Sequence, residues 1–450
     1  MTSQAPQTPS LTQSVIATLA TRFAVLPLGL LQGALLARGL GPSGLGRYSA
    51  VLVDVNLLTT LLALGLPGGL AVLVGQAQGN ATTTRRLWRY GLWHIALALT
   101  VTLGIGLLLG RLLPTWLGPL VHGRTPLVLV LLGVCVCGQL GRDLHNALLW
   151  GGQRFSAQNR LSLLITVAQL AAVVVLFALH RLGVASALVL QALSLWSFSL
   201  LFLWRLRNWM RIPSQISQPD SEPTSTVRQL YAISLRNFLH ILPDMLLFRI
   251  DVYLLEWLLP SASMEHELGL YQAGVRVAEL LLMLPGTLNA VLFAKAAAKE
   301  DVAEQALLGA KLGLYLGLLG CLAMLLVGKP LLVLFYGSRF AGSFVPCLLV
   351  LLGCAALSFS GPLAGTLSGV RGYPPSVIWA QSLALLTNVG LNLWLLPRYG
   401  IVGAAMASTG AYTVSALCIT TAFARHFGIP LKTLLIPVGP KQIWTRLRQR

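Results

Sequence analysis

The chain has 450 residues, 56% of them hydrophobic and only 10% charged, with a mean hydropathy of +0.76. No water-soluble domain of this length carries so little charge, so this is a membrane protein. The formal net charge of +19 would suit nucleic acid, but the basic residues are strewn along the chain instead of gathered on one soluble domain, which excludes that partner.

A polar lead, 1–13, precedes the first apolar stretch and reads as a disordered cytoplasmic N-terminus. Crossing a hydrocarbon core takes about 20 residues. Stretches of that kind lie at 14–37, 49–75, 90–112, 125–149, 160–181 and 183–204, forming an N-terminal six-helix bundle over 14–204. The first contains Arg22 and has no basic residue before it, so it reads as a retained span and not a signal peptide. Residues 205–229, with Pro213, Pro219 and Pro223, form a cytoplasmic linker. Six more spans follow at 230–259, 270–294, 306–327, 343–368, 376–396 and 400–424, a C-terminal six-helix bundle over 230–424. A basic cytoplasmic tail, 425–450, closes the chain. The expected fold is all-α, with 12 transmembrane helices in two pseudo-symmetric bundles. Nineteen basic residues border inner segments and eight border outer ones, which places both termini in the cytoplasm. No loop is long enough for a folded soluble domain.

The halves repeat. Gly152-Gln153-Arg154 returns as Gly369-Val370-Arg371 and Arg181-Leu182-Gly183-Val184 as Arg398-Tyr399-Gly400-Ile401, both 217 positions on (369−152, 398−181). Gly46-Arg47-Tyr48-Ser49-Ala50 is answered by Gly269-Leu270-Tyr271-Gln272-Ala273 at 223 (269−46). Repeats of this kind in a polytopic protein mark a transporter with its substrate site near the bilayer midplane.

Several local patterns carry no chemistry. Gly39-Leu40-Gly41-Pro42-Ser43-Gly44 has the letters of a dinucleotide fingerprint, but it follows an apolar helix and contains Pro42, so a tight turn is expected. No G-x-x-x-x-G-K-[ST] occurs. Cys135, Cys137, Cys321, Cys347, Cys354 and Cys418 sit in apolar spans without metal spacing and read as core residues. Asn80-Ala81-Thr82 matches a glycosylation acceptor but falls on the cytoplasmic side. Gly309, Gly313 and Gly317 permit close helix packing.

Ionisable residues inside spans need a reason, because one at the bilayer centre costs on the order of 3 kcal/mol. Arg236, His240 and Asp244 stand at i+4 steps in the seventh span, and Asp251 returns to the same arc. Arg249 and Glu256 point elsewhere. The eighth span adds Arg276 and Glu279, the second Asp54 and Asn56, the fourth Arg142 and Asp143, and the first Arg22. The 223 spacing makes Asn56 and Glu279 equivalent. Two readings compete: structural ion pairs such as Arg236 with Asp244, or a hydrated cavity whose cations hold an anionic substrate. Arginine suits a diphosphate because its planar fork donates paired hydrogen bonds and stays charged. The carboxylates Asp54, Asp244, Asp251 and Glu279 would tune these cations or bind a coupling H⁺ or Na⁺. The second half carries more of this charge. Pro27 and Pro243 occupy parallel places and can bend their helices.

Gly39–Tyr48, Arg249-Ile250-Asp251-Val252-Tyr253-Leu254, Leu268–Ala273 and above all Asn388–Ala405 resemble the Wzx-type polysaccharide-export flippases. These belong to the multidrug/oligosaccharidyl-lipid/polysaccharide exporter superfamily, and the resemblance covers about 14–428. It implies two six-helix bundles facing each other in a V and working by alternating access. The substrate it implies is an oligosaccharide repeat unit on polyprenyl diphosphate, turned from the cytoplasmic to the periplasmic leaflet for O-antigen, exopolysaccharide or capsule. It also implies membrane lipids, a polysaccharide polymerase and chain-length machinery as partners, and no cofactor beyond a coupling ion. Arg22, Arg236 and Arg276 best match the family's cationic cavity lining, and His240, on the polar face of the seventh span, is read as a further cavity residue. Chains of the peptidoglycan-lipid subfamily usually carry two further C-terminal helices, and nothing after Ala424 is long and apolar enough, which counts against that substrate. The competing readings are a multidrug exporter of the same superfamily and a polytopic lipid-linked-sugar transferase or polymerase. The second lacks the large periplasmic loop or carboxylate motif that such enzymes use.

Overall fold

The computed structural model describes residues 11–77, 80–112, 126–209, 223–283, 286, 292, 302–371 and 374–430. Within the helices, the side chains of 11–23, 81, 102–112, 205–209, 223–226, 261 and 371 lie outside the description. Among the described residues there is no strand. The helices are α1 (Leu11–Ala63), α2 (Leu66–Gln76), α3 (Ala81–Leu112), α4 (Pro126–Gly151), α5 (Phe155–Ala178), α6 (Val184–Trp209), α7 (Pro223–Leu258), α8 (Ser261–Glu279), α9 (Ala303–Tyr336), α10 (Phe344–Arg371) and α11 (Pro375–Phe427). Short 3₁₀ turns at Leu280–Leu282 and Ser338–Ser343 extend α8 and precede α10. Seven helical stretches among the described residues are long and apolar enough to cross a membrane.

Two of the helices are double. α1 breaks at Gly41 (φ 66°, ψ 177°) and α11 at Gly400 (φ 55°, ψ −138°), so each contains two spans joined by one non-helical glycine. Positive φ favours glycine, and the Gly39–Gly44 run therefore makes the tight turn its sequence predicts. The repeat-related connection at Arg181-Leu182-Gly183 turns differently, with the left-handed residue at His180 (φ 53°). With the arms of α1 and α11 counted singly and α2 taken as the continuation of the second arm of α1, each half has six helical segments among the described residues.

One expectation needs correction. The second span, read as continuous over 49–75, is broken at Leu64 (φ 46°) and Gly65 (φ 73°), and α2 restarts with Pro67 in its first turn. The break frees Leu62 O, which a side chain then satisfies, while Gly65 O accepts from Gly68 N at 3.1 Å and Gly69 N at 3.4 Å. His94 Nε2 donates to Leu62 O at 2.9 Å, leaving Nδ1 to accept from Tyr231 Oη at 3.1 Å. Asn237 Nδ2 donates to Gly65 O at 3.1 Å. Glycine is also required for space: a Cβ on Gly65 would lie 2.1 Å from Ser234 O, and one on Gly68 2.0 Å from Asn237 Nδ2.

The chain forms two compact units, unit 1 from Met1–Gly39 and Val51–Ile241, unit 2 from Leu40–Ala50 and Leu242–Arg450. The division falls inside α7, one residue pair before Pro243. Unit 1 has a core of Leu66, Leu70, Leu87, Leu144, Leu148, Phe198 and Phe202. A second cluster contains Val55, Cys135, Leu140 and Leu195. α5 buries only Leu170 and Val173, leaving an apolar surface suited to lipid. In unit 2, Ala306, Ala310, Leu363, Ala380 and Phe423 form the core. There a Cβ on Gly313 would meet Ser358 O at 2.3 Å and one on Gly317 the Ala355 Cβ at 2.7 Å, so these glycines bring α9 onto α10. Asn80 caps α3, accepting from Thr82 N at 3.0 Å and Thr83 N at 3.2 Å.

Candidate functional site

In unit 2, α7 meets α8 and α11 through polar side chains. Asp251 is 1% exposed. It accepts from Val252 N at 2.9 Å, from Tyr271 Oη and, more distantly at 3.5 Å, from Ser408 Oγ; the two hydroxyls are 3.2 Å apart. A buried carboxylate stays in place only with such donors. Two turns earlier Asp244 accepts from Gln381 Nε2 at 3.0 Å, and Gln381 Oε1 accepts from Ser415 Oγ at 3.1 Å. Asn388 Nδ2 donates to Leu247 O at 3.1 Å. Both carboxylates of α7 therefore look toward α11, as their shared arc predicts.

Arg249 points elsewhere, as its position on the helix requires, but it does not idle. Its fork holds Glu279 on α8 with Nη1 at 2.8 Å from Oε1 and Nη2 at 3.2 Å from Oε2, both side chains about three-quarters buried. Glu279 is thus engaged in a structural pair, whereas its repeat equivalent Asn56 is exposed and bonds its own helix at Leu52 O. Arg276, half-buried, donates from Nη2 to Ser49 Oγ at 3.0 Å.

That bond lies beside a helix crossing in unit 2. A Cβ on Gly269 would sit 1.8 Å from Pro42 O, and one on Gly46 2.0 Å from Glu265 O and 3.0 Å from Gly269 N. Gly46 and Gly269 are the repeat-related pair, and here they lie against each other. An exposed ion pair, Arg47 Nε to Glu265 Oε2 at 3.1 Å, flanks them.

In unit 1 the predicted residues are more dispersed. Arg22 is in α1, but its side chain lies outside the described residues. Asp54 is buried at 6% exposure. Arg236 is exposed, and no ion pair joins it to Asp244 among the described residues; His240 is half-buried one turn on. Arg142 and Asp143 do not pair either. Arg142 lies over the Phe198 ring at 5.6 Å, and Asp143 accepts from Gln139 Nε2 at 2.9 Å.

Sequence reasoning missed Tyr271, Gln381, Ser408 and Ser415. Tyr271 stood in the Gly269–Ala273 repeat, and a hydroxyl-bearing aromatic in an apolar span was a usable signal. The serines had none, since Ser is common at helix contacts in membranes.

The model of the polysaccharide biosynthesis protein family matches residues 11–294. No curated protein matches the sequence. Among solved structures, the chain is similar to the lipid II flippase MurJ in an inward closed conformation, at 12% identity and a TM-score of 0.70, covering 93% of this chain and 89% of that one. It is also similar to a multidrug resistance MATE family transporter of the MOP superfamily in its inward-facing conformation, at 15% identity and a TM-score of 0.68, covering 94% and 100%. An outward-facing MATE transporter follows at 15% identity and 0.65, covering 94% and 96%. The shared fold is all-α, with two pseudo-symmetric six-helix bundles.

Proposed function

The chain belongs to the polysaccharide biosynthesis protein family, and from that membership we propose that this transporter flips a polyprenyl-diphosphate-linked oligosaccharide repeat unit. It is a membrane transporter of the MOP superfamily and not an enzyme. The proposed direction is from the cytoplasmic to the periplasmic leaflet of a bacterial inner membrane, by alternating access, with both termini cytoplasmic. The product would feed O-antigen, exopolysaccharide or capsule assembly, beside a polymerase and chain-length machinery.

The observation that carries this reading is the family match, which covers 11–294 and includes the proposed diphosphate ligands Arg22, Arg236 and Arg276 and the proposed cavity residue His240. Arg236 supports it chemically. It is exposed on a spanning helix without an ion pair among the described residues, the state in which a guanidinium can take a diphosphate through charge-assisted bonds. Of the proposed couplers, Asp251 and Glu279 are enclosed by donors, and Asp54 is buried. Asp244 is half-buried and held through Gln381, which suits reversible binding of H⁺ or Na⁺.

The test is complementation of a deletion strain with Arg22→Ala, Arg236→Ala and Arg236→Lys at normal expression. The alanine variants should lose surface polysaccharide and accumulate the lipid-linked repeat unit in the cytoplasmic leaflet, and Lys should restore part of the export. Full export by both alanine variants sinks the diphosphate assignment. Efflux of amphiphilic cations, with no effect of deletion on surface polysaccharide, would make the chain a multidrug exporter instead.

A further inference from the structure

We infer that the second half of α4 carries a carbohydrate-contacting row, formed by Gln139, Arg142, Asp143 and Asn146 and ending at Trp150. This rests on the flippase reading and assigns the sugar, as distinct from the diphosphate, to unit 1.

Gln139, Asp143, Asn146 and Trp150 follow one another at helical steps of four, three and four, so they share a face of α4, with Arg142 at its edge. Val130 and Val134 stand nine residues, two and a half turns, before Gln139 and Asp143, and therefore point the opposite way. They are 63% and 38% exposed. The exposed valines suit lipid only in the first half of α4; in the second half the row looks away from the protein core, and its half-buried Arg142 and Asp143 do not suit lipid. At the level of the row itself, Leu148, nine residues after Gln139 and so opposite it, is buried in the core of unit 1 with Leu144 and Ala147, and Leu140 is buried in the second cluster. Gln139, Arg142, Asp143 and Asn146 are each half-buried, neither sealed in that core nor laid on an apolar surface.

Among the described residues only the margins of the row reach another helix, Arg142 over Phe198 on α6 and Trp150 to Gln158 on α5. Gln139 and Asp143 bond each other on one helix, through Nε2 and Oδ1 at 2.9 Å, and neither bonds another helix among the described residues. Gln139 Oε1 and Asp143 Oδ2 are left as acceptors. Asn146 Oδ1 is a third acceptor, buried and without a donor among the described residues. Arg142, its guanidinium over Phe198 at 5.6 Å, supplies donors. The formal charge of the four is zero, with donors and acceptors interleaved.

A diphosphate offers acceptors alone and would face Asp143 and Asn146 Oδ1 unfavourably. Sugar hydroxyls both donate and accept, and neighbouring ones match the paired atoms of planar amides and carboxylates. Trp150, 51% exposed and donating through Nε1 to Gln158 Oε1, adds a flat apolar surface for a ring's C–H face.

The test measures equilibrium binding to the full chain in lipid nanodiscs with two probes. One is bare polyprenyl diphosphate, the other the lipid-linked oligosaccharide extracted from a strain lacking this protein. Wild type should bind the glycosylated lipid more tightly than the bare one. Asn146→Leu and Gln139→Leu should weaken glycosylated-lipid binding about tenfold, as loss of a hydrogen bond in a desolvated site does, and leave bare-lipid binding unchanged. Gln139→Leu and Asp143→Asn, near-isosteric at half-buried positions, carry the test should Asn146→Leu not fold. Variants that weaken both probes alike, or neither, overturn the row, as does a wild type that does not distinguish the probes; the flippase reading survives each of these. A wild type that binds neither probe overturns the flippase reading itself, and the row with it.

Discussion

The polar residues of unit 2 close on one another, whereas those along α4 in unit 1 stay half-open. Asp251, Glu279 and Asp244 each have a donor on a neighbouring helix. Gln139 and Asp143 have only each other, and Asn146 Oδ1 has none among the described residues. The same residue types therefore do two jobs in one duplicated scaffold: in unit 2 they tie α7 to α8 and α11, and along α4 they are left to meet something outside the protein.

The sharpest way to break this contrast is Glu279→Ala, which strands Arg249 and should cost about 3 kcal/mol, read as a lower thermal midpoint by tryptophan fluorescence in detergent. Arg249→Met together with Glu279→Leu should recover most of that loss, because a well-packed apolar pair can replace a buried ion pair. Next comes Gly269→Ala. Its methyl would sit 1.8 Å from Pro42 O, and forcing the helices apart should cost about 2.5 kcal/mol by the same measurement. Tyr271→Phe removes one donor from Asp251 and should cost about 2 kcal/mol; an unchanged midpoint would mean that Val252 N and Ser408 suffice. Asn237→Ala removes one of three donors to Gly65 O and should cost only about 0.6 kcal/mol, the usual yield of a hydrogen bond between membrane helices. Smallest of all, Gln139→Leu should move the midpoint by less than about 0.5 kcal/mol. A large destabilisation there would erase the distinction between the two regions.

Much of the architecture was legible in the sequence because hydropathy and repeat spacing depend on local composition. The spans, the turn at Gly41 and the close packing at Gly313 and Gly317 all follow from residue type and period. The break at Leu64 and Gly65 was hidden by an unbroken apolar run, although Gly65-Leu66-Pro67-Gly68-Gly69 holds the residues that such a break requires. The same Leu-Pro-Gly letters return at Leu284-Pro285-Gly286, of which Leu284 and Pro285 lie outside the described residues. The site was read less well. Helical period placed Asp244 and Asp251 on one arc and Arg249 off it, but period cannot say which neighbour an outlying side chain will meet. Arg249, off that arc, finds its partner only where α8 brings Glu279 to it. His145 went unnoticed: it is buried, stacked on Phe202 at 4.2 Å and bonded to Ser199 at 3.2 Å.

Gly46 and Gly269 occupy equivalent places in the repeat and lie back to back. A contact between a position and its own copy is what a homodimer makes on its two-fold axis. In a pair of identical half-length chains, one codon change at that glycine would have put two methyl groups into the same gap. In a fused chain the codons are separate, and one side can be altered while the other remains glycine. One chain that carries both halves therefore has two such positions that can change one at a time, so a symmetric scaffold can hold unlike chemistry in its two halves.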